Sequence, residues 1–352
     1  MRKLLFNLHL YLALVAGVFI LILGVTGSIM AFEPEIDHLL HRNLWHVTPQ
    51  GRPLSLAEIT AAVNKAFPGE PIALYTTWSD PSLSYQVALK RGAVFVNPYT
   101  GAIIGVRAPG PDFLAYVHQL HLRLTPRPLP GDAGKKIMSV AGVIILFLSI
   151  SGLYLWWPLK RIRIQPGAKG RRFWFDWHNT IGILSLVFLL ILSFTGVMIG
   201  FDEATVPLMY KISGSKPLEN PKIPPAPPGA KPIGVDRAMQ IAAAALPGAT
   251  PFMINVPPPK GAYLVRTHFP EDLTPGGRSR VLVDQYTGNV LLTEGSRTAP
   301  AGSRMVILNR AIHTGDIYGI PTKALFSLMS LALAAQFVTG IAMWWKRTRK
   351  NA

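Results

Sequence analysis

The sequence predicts a membrane protein of four transmembrane helices, built as two tandem repeats that each carry an α+β module outside the bilayer. Three observations predict it. The 352-residue chain holds four long apolar runs, it repeats its own motifs in the same order, and its basic excess collects on segments that would share one membrane face.

The first span is expected within residues 1–32. Arg2 and Lys3 precede it as in a signal peptide, but the apolar run from Leu8 to Phe32 is too long for one and lacks a small-x-small cleavage site. Residues 33–136 form the first module: a helix over Pro53–Phe67 ending at Pro68-Gly69, then strands at Ile72–Thr77, Ser84–Leu89 and Ala93–Val96 before the turn Asn97–Gly101. Asp112–Leu124 reads as a short amphipathic helix with Asp112 as N-cap and Pro126 beyond its end. The second span covers 137–158 and a connector covers 159–177.

The third span, 178–201, repeats the first, since the stretch from His9 to Asp37 returns from His178 to Glu203 with a histidine 17 residues ahead of a Thr-Gly pair in both. Residues 202–323 form the second module. A proline-rich linker, Lys216–Pro232, leads to a helix over Pro232–Leu246, strands at Met253–Val256, Tyr263–Thr267 and Val281–Asp284, and the turn Tyr286-Thr287-Gly288. A helix with a small antiparallel sheet is the economical architecture for each module. The fourth span, 324–345, ends like the second in a small-Gly pair and two tryptophans (Ser151, Gly152, Trp156, Trp157; Thr339, Gly340, Trp344, Trp345), and the tail is 346–352. The tryptophan pairs are interface anchors.

The N-terminus, connector and tail together hold 12 of the 35 Lys and Arg and one acid, Asp176, which places them in the cytoplasm and both modules on the far side. The net charge of +17 is therefore a topology and anionic-lipid signal, and nucleic acid is not an expected partner. With no cysteine, disulfides, thiolate metal sites and iron–sulfur clusters are excluded. Neither module carries a Walker loop, a nucleophile elbow or a GxGxxG turn, so no nucleotide or flavin site is expected.

Nine histidines remain. His9 and His178 start spans that leave from one face, and small residues follow on the same helical faces: Ala13, Ala16 and Gly17, then Gly182 and Ser185. Such room suits a flat macrocycle whose iron two neutral imidazoles would hold, although interfacial position and close helix packing account for the same residues. On the far side His121 and His313 match best, lying 31 and 27 residues before Gly152 and Gly340, with His118 at 34 as the reserve. His118 and His121 could instead bind Zn or Cu, but an HxxH pair without a third ligand argues weakly for it. His38, His41, His46 and His268 have no repeat partners and read as solvated surface.

The span–module–span unit, the turns Pro98–Gly101 and Gln285–Gly288, Leu120-His121 and the run Ser151–Trp157 (SGLYLWW) resemble the PepSY-associated transmembrane proteins, often called iron-regulated membrane proteins. The likeness covers essentially the whole chain, and the absence of a flavin domain makes it most similar to the FoxB-type ferrisiderophore reductases. That resemblance implies an oxidoreductase of the bacterial inner membrane with two haem b groups, reducing Fe(III)-siderophore on the periplasmic side and releasing Fe(II). The haem irons would be held by His9 and His178 and by His313 with His121 or, in reserve, His118, and the donor would be a cytoplasmic reductant or a quinol. The competing expectation is a cofactor-free anchored protein whose modules bind peptides or regulate a protease. Siderophore permeation is disfavoured because the spans hold almost no internal charge for ion coupling.

Overall fold

The structure, a computed structural model, describes residues 1–349 except Pro111, Pro126, Pro128, Leu159, Arg161 and Pro275. In chain order the elements are α1 (Arg2–Met30), α2 (Glu33–Leu40), α3 (Arg42–Trp45), α4 (Leu56–Ala66), β1 (Leu74–Thr76), β2 (Tyr85–Leu89), β3 (Gly92–Val96), β4 (Ile103–Arg107) and α5 (Phe113–Arg123). There follow α6 (Ala133–Trp156), α7 (Gly170–Gly200), α8 (Asp202–Ile212), α9 (Val235–Ala245), β5 (Thr250–Asn255), β6 (Ala262–His268), β7 (Ser279–Asp284), β8 (Val290–Glu294), α10 (Ala301–Thr314) and α11 (Ile320–Thr348). They divide into two compact units, one of residues 1–33, 111–211 and 308–352, the other of 34–110 and 212–307.

The first unit is helical. α1, α6, α7 and α11 are long and apolar enough to cross a membrane, and at 29 residues α1 reaches about 44 Å against a core of about 30 Å. α7 starts at Gly170, well before the expected 178, so the end of the connector is helical. There Asp176 is buried, paired with Arg172 at 2.8 Å and accepting from the Gln165 N–H at 3.2 Å. α1 and α7 each pack on both α6 and α11, which makes a closed bundle with α1 and α7 on one diagonal. Small residues let the helices approach: the Ser330 hydroxyl donates to the Gly24 carbonyl at 2.9 Å, and Ser28 and Ser327 share a hydrogen bond of 2.7 Å. The bundle centre is filled by Ala16, Ile20, Ile145, Leu189 and Leu333.

Shorter helices complete this unit, among them α5, α8 and the end of α10 that carries His313. α5 lies against α1 and α6; the Asp112 side chain caps it by accepting from the Ala115 N–H at 2.8 Å, and Leu124 closes it in the left-handed region at φ 65°. Pro126, expected as its stop, lies outside the described residues. α10 is pinned where the Asn309 amide donates to the Thr195 carbonyl at 3.2 Å.

The second unit corrects the expectation of two separate small sheets. Its eight strands form one antiparallel sheet, ordered β4-β3-β2-β1-β5-β6-β7-β8, in which β1 and β5 pair through Tyr75 and Ile254. Each half alone would leave the edge at β1 or β5 open, and pairing the two removes both edges. One core serves both halves, with Ile59, Val63, Val87 and Val94 packed with Ala242, Ile254, Val265 and Val281 under α4 and α9. α4 carries the capping box Ser55–Glu58, and Asp236 of α9 accepts from its Leu56 and Ala57 N–H groups, both at 2.8 Å. On the other face Phe95 packs with Trp45 and Leu83, following strand alternation.

The Tyr-Thr-Gly turns prove structural. The Asn97 side chain accepts from the Tyr99 N–H, and Asp284 accepts likewise from Tyr286, each at 2.9 Å, while Gly101 and Gly288 take φ of 72° and 74°. The tyrosine hydroxyls donate to the carbonyls of Pro81 and Pro259, both at 2.7 Å. β4 and β8 were not expected because, as half-exposed edge strands, they carry no inside–outside alternation.

Candidate metal centre in the helical unit

His9 on α1 and His178 on α7 line one cavity of about 640 Å³ inside the bundle, so they face each other along its diagonal rather than from neighbouring helices. Ala13, Gly17 and Gly182 line it as well, whereas Ala16 belongs to the buried core and the Ser185 hydroxyl donates to the Ile181 carbonyl at 2.7 Å. The room left at Gly17 is taken by α11, since a Cβ there would overlap the Phe337 ring, and one at Gly182 would lie 3.3 Å from Gln336. These glycines thus bring the wall of the cavity close rather than leaving it open.

Toward the opposite end of the same helices, His121 on α5 and His313 on α10 stand with ring centroids 6.4 Å apart. Two metal–imidazole bonds of about 2 Å plus two ring radii of about 1.1 Å give about 6.2 Å, so one metal ion fits between the rings. His118 is placed elsewhere: its Nδ1 is 2.9 Å from the Glu33 carboxylate and its side chain is one-third exposed. Because His118 and His121 take different partners, the HxxH pair is not arranged as a shared Zn or Cu site. Among the described residues no group of three or more His, Cys, Asp or Glu is arranged to hold a metal ion.

One hydrogen-bond pattern unites four histidines. His9 Nδ1 is 2.8 Å from the Ser151 hydroxyl, His178 Nδ1 is 2.9 Å from Thr339, His121 Nδ1 is 2.9 Å from Thr26, and His313 Nδ1 is 3.0 Å from Thr195. Each hydroxyl also donates to its own helix: Thr26 to Ile22 at 2.5 Å, Thr195 to Ile191 at 2.7 Å, Thr339 to Ala335 at 2.7 Å and Ser151 to Leu148 at 3.2 Å. A hydroxyl has one proton, so with that proton given to a carbonyl it can only accept from the imidazole. Nδ1 therefore carries the hydrogen, and when the ring is neutral its lone pair is on Nε2.

The residue after each hydroxyl is a glycine, and the ring rests on it. A Cβ would lie 2.9 Å from His313 Cε1 at Gly196, 3.1 Å from His121 at Gly27, 3.5 Å from His9 at Gly152 and 3.6 Å from His178 at Gly340. The hydroxyl holds the proton on Nδ1 and the glycine sets how deep the ring sits, as hydrogen-bond partners do behind metal-bound histidines. Sequence reasoning missed this role for Thr26, Ser151, Thr195 and Thr339. Their signal was present in the small-Gly pairs, which read there only as repeat markers.

The donor set is two oriented imidazoles at each end, with no carboxylate or thiolate beside them among the described residues. It fits a metal that takes only axial ligands from protein and its equatorial ligands from a macrocycle, and the apolar cavity beside His9 and His178 is of the size such a ligand needs. Of the remaining histidines, all in the sheet unit, three are less solvated than expected: His41 pairs with Asp37 at 2.9 Å, the His38 ring lies 4.1 Å from that of Trp45, and half-buried His268 lies 5.7 Å from Phe252. His46 alone of the four is exposed.

The model of the family described as the PepSY-associated TM region matches residues 6–347, and the chain belongs to that family. It is a membrane protein whose four apolar helices are the transmembrane helices. No curated protein matches the chain.

Proposed function

We propose that this PepSY-associated membrane protein is a di-haem b-type cytochrome of the bacterial inner membrane, built from two tandem repeats, that reduces Fe(III)-siderophore at the periplasmic face. The single observation behind this reading is the fourfold hydroxyl–imidazole–glycine arrangement, which points two tautomer-fixed histidines at each of two places. His9 and His178 would hold one haem, His121 and His313 the other, and a haem bound so supplies reversible one-electron chemistry at its iron. The net reaction takes one electron from a cytoplasmic reductant or a quinol and leaves the chelated iron as Fe(II), which the siderophore holds less tightly than Fe(III).

The chain's own part is ligation, orientation and exclusion. Ser151 and Thr339 hold the first pair of rings, and Thr26 and Thr195 hold the second. The buried apolar side chains of the bundle keep water and stray acceptors from the space between. The sheet unit would receive the chelate, helped by the modest positive charge of its loops.

Protein purified from haem-sufficient cells should be red, with a Soret band and a pyridine haemochrome ratio near two haems per chain. A colourless preparation would instead favour a cofactor-free peptide-binding or protease-regulating membrane protein. A ratio of one would leave half of the proposal standing.

A further inference from the structure

The cavity that holds His9 and His178 is lined mainly by apolar side chains, with Ser149, Asn179 and Gln336 among them, and is cationic at one end. Ile20, Ile145, Leu189 and Leu333 close its inner end, while Arg2, Lys3, Arg171 and Arg347 line its mouth, where α1 and α7 begin and α6 and α11 finish. Among the described residues no carboxylate lines it. The acid nearest in sequence, Asp176, is already engaged by Arg172 and the Gln165 N–H. Among the described residues the Arg2 guanidinium reaches only the Leu155 carbonyl, at 3.2 Å, and Arg347 sits 5.8 Å from the centre of the Phe6 ring. Four like charges around one opening repel each other, and an anion seated among them relieves that repulsion.

We propose that Arg2, Lys3, Arg171 and Arg347 form a carboxylate-binding rim that receives the two acid groups of a planar, otherwise apolar tetrapyrrole and so sets which way round it enters. The two ends of the cavity ask for different chemistry. Apolar walls bury the ring, the His9–His178 pair addresses its metal, and guanidinium groups suit carboxylates through paired N–H donors. A ligand seated this way turns its carbon edge toward Ile20 and Leu333, that is, toward the end where His121 and His313 stand. The inference rests on the haem reading of this cavity and adds the anchor and the orientation.

The test uses haem-free full-length protein in a zwitterionic detergent, titrated with iron protoporphyrin IX and, separately, with its dimethyl ester, which has the same ring and no free carboxylate. Binding is read from the Soret band. Wild type should bind the free acid about 100-fold more tightly than the ester, from two charge-assisted contacts. Arg171→Gln and Arg347→Gln should each weaken the acid about tenfold and leave the ester unchanged, ester binding serving as proof that the variants are folded. Equal affinity of wild type for acid and ester would overturn the rim and assign these cations to anionic lipid alone, and so would variants that weaken both ligands equally. Uptake of neither ligand by wild type would overturn the haem reading itself, a result distinct from loss of selectivity.

Discussion

Replacing Thr339 by valine tests how the histidines are held. The Thr339 hydroxyl accepts from His178 Nδ1 at 2.9 Å and donates to the Ala335 carbonyl at 2.7 Å. Valine keeps the shape but puts a methyl group where the oxygen was, and a carbon needs about 3.5 Å from its neighbour, so the ring must retreat by about 0.6 Å. The Nδ1 hydrogen also loses its acceptor inside the bundle, at a cost of about 1–3 kcal/mol. Ala335 keeps its helical N–H partner and adds little. If His178 holds a metal through Nε2, Thr339→Val should lower haem affinity at that site about 10–100-fold, as loss of the hydrogen bond behind a ligating histidine does. It should also raise that site's potential, because a less basic imidazole stabilises the ferric state less. Thr339→Ser should restore both. Haem retention and a spectroelectrochemical titration read the outcome. An unchanged potential and full haem occupancy in Thr339→Val would refute the role given to all four hydroxyls.

Four further outcomes are expected. His9→Ala and His178→Ala should each remove the same one of two potentials, and a normal spectrum in His178→Ala would take α7 out of the ligand set. His313→Ala and His121→Ala should stop capture of Fe(II) by an external trap in vesicles while the other haem is still reduced, whereas His118→Ala should leave capture within about twofold, its ring being turned to Glu33. Gly196→Ala, whose Cβ would stand 2.9 Å from His313, should disturb its site, and Gly340→Ala at 3.6 Å from His178 should be tolerated; the opposite order in bound haem would contradict the seating of the rings. In the sheet unit, burial raises the Asp37 pKa, but Arg107, Trp45 and His41 outweigh it and hold the carboxyl below the ordinary range. A depressed folded pKa means stability that is present above the unfolded value near 3.8 and lost as pH falls through the folded one. Asp37→Asn should therefore cost about 2 kcal/mol at pH 7 and flatten the acid limb of thermal unfolding; a wild-type acid limb in the variant would refute it.

What could be read from sequence was whatever repeats locally. The four apolar runs, the Asp112 cap and the helix over Leu56–Ala66 are each specified by neighbours within one or two turns. The pairing of β1 with β5 is different in kind. It joins Tyr75 to Ile254 across the intervening span helices, and nothing in either strand's pattern distinguishes a partner in its own module from one in the other. The hydroxyl contacts were hidden for a related reason. A serine or threonine before glycine inside a span reads as close packing, and only three-dimensional placement shows that Thr26 meets a histidine 95 residues away. His38 and His41 were misread because a histidine's neighbours decide its exposure, and Trp45 and Asp37 become neighbours only once α2 and α3 form.

The arrangement of rests and ligands also explains why the motif must recur at a fixed interval. α1 carries His9 for one site and Thr26-Gly27 for the other, and α7 carries His178 and Thr195-Gly196 in the same way, while α6 and α11 complete the first site with Ser151 and Thr339. Seventeen residues of unbroken helix hold each histidine about 26 Å along the axis from the threonine that serves the opposite site. A rigid rod sets that separation more closely than any loop would, so an insertion of one residue between His9 and Thr26 would rotate the two faces by about 100° and separate their functions. Between the sites lie Ala16, Ile20, Ile145, Leu189 and Leu333, and the buried Ser185 and Ser193 of α7 give their protons to the carbonyls of Ile181 and Leu189 on their own helix. In the proposed cytochrome this is the requirement that matters most. An electron can cross a short apolar layer without a chain of polar groups, whereas an ion cannot, so the same packing that stabilises the bundle keeps iron reduction from leaking the membrane gradient.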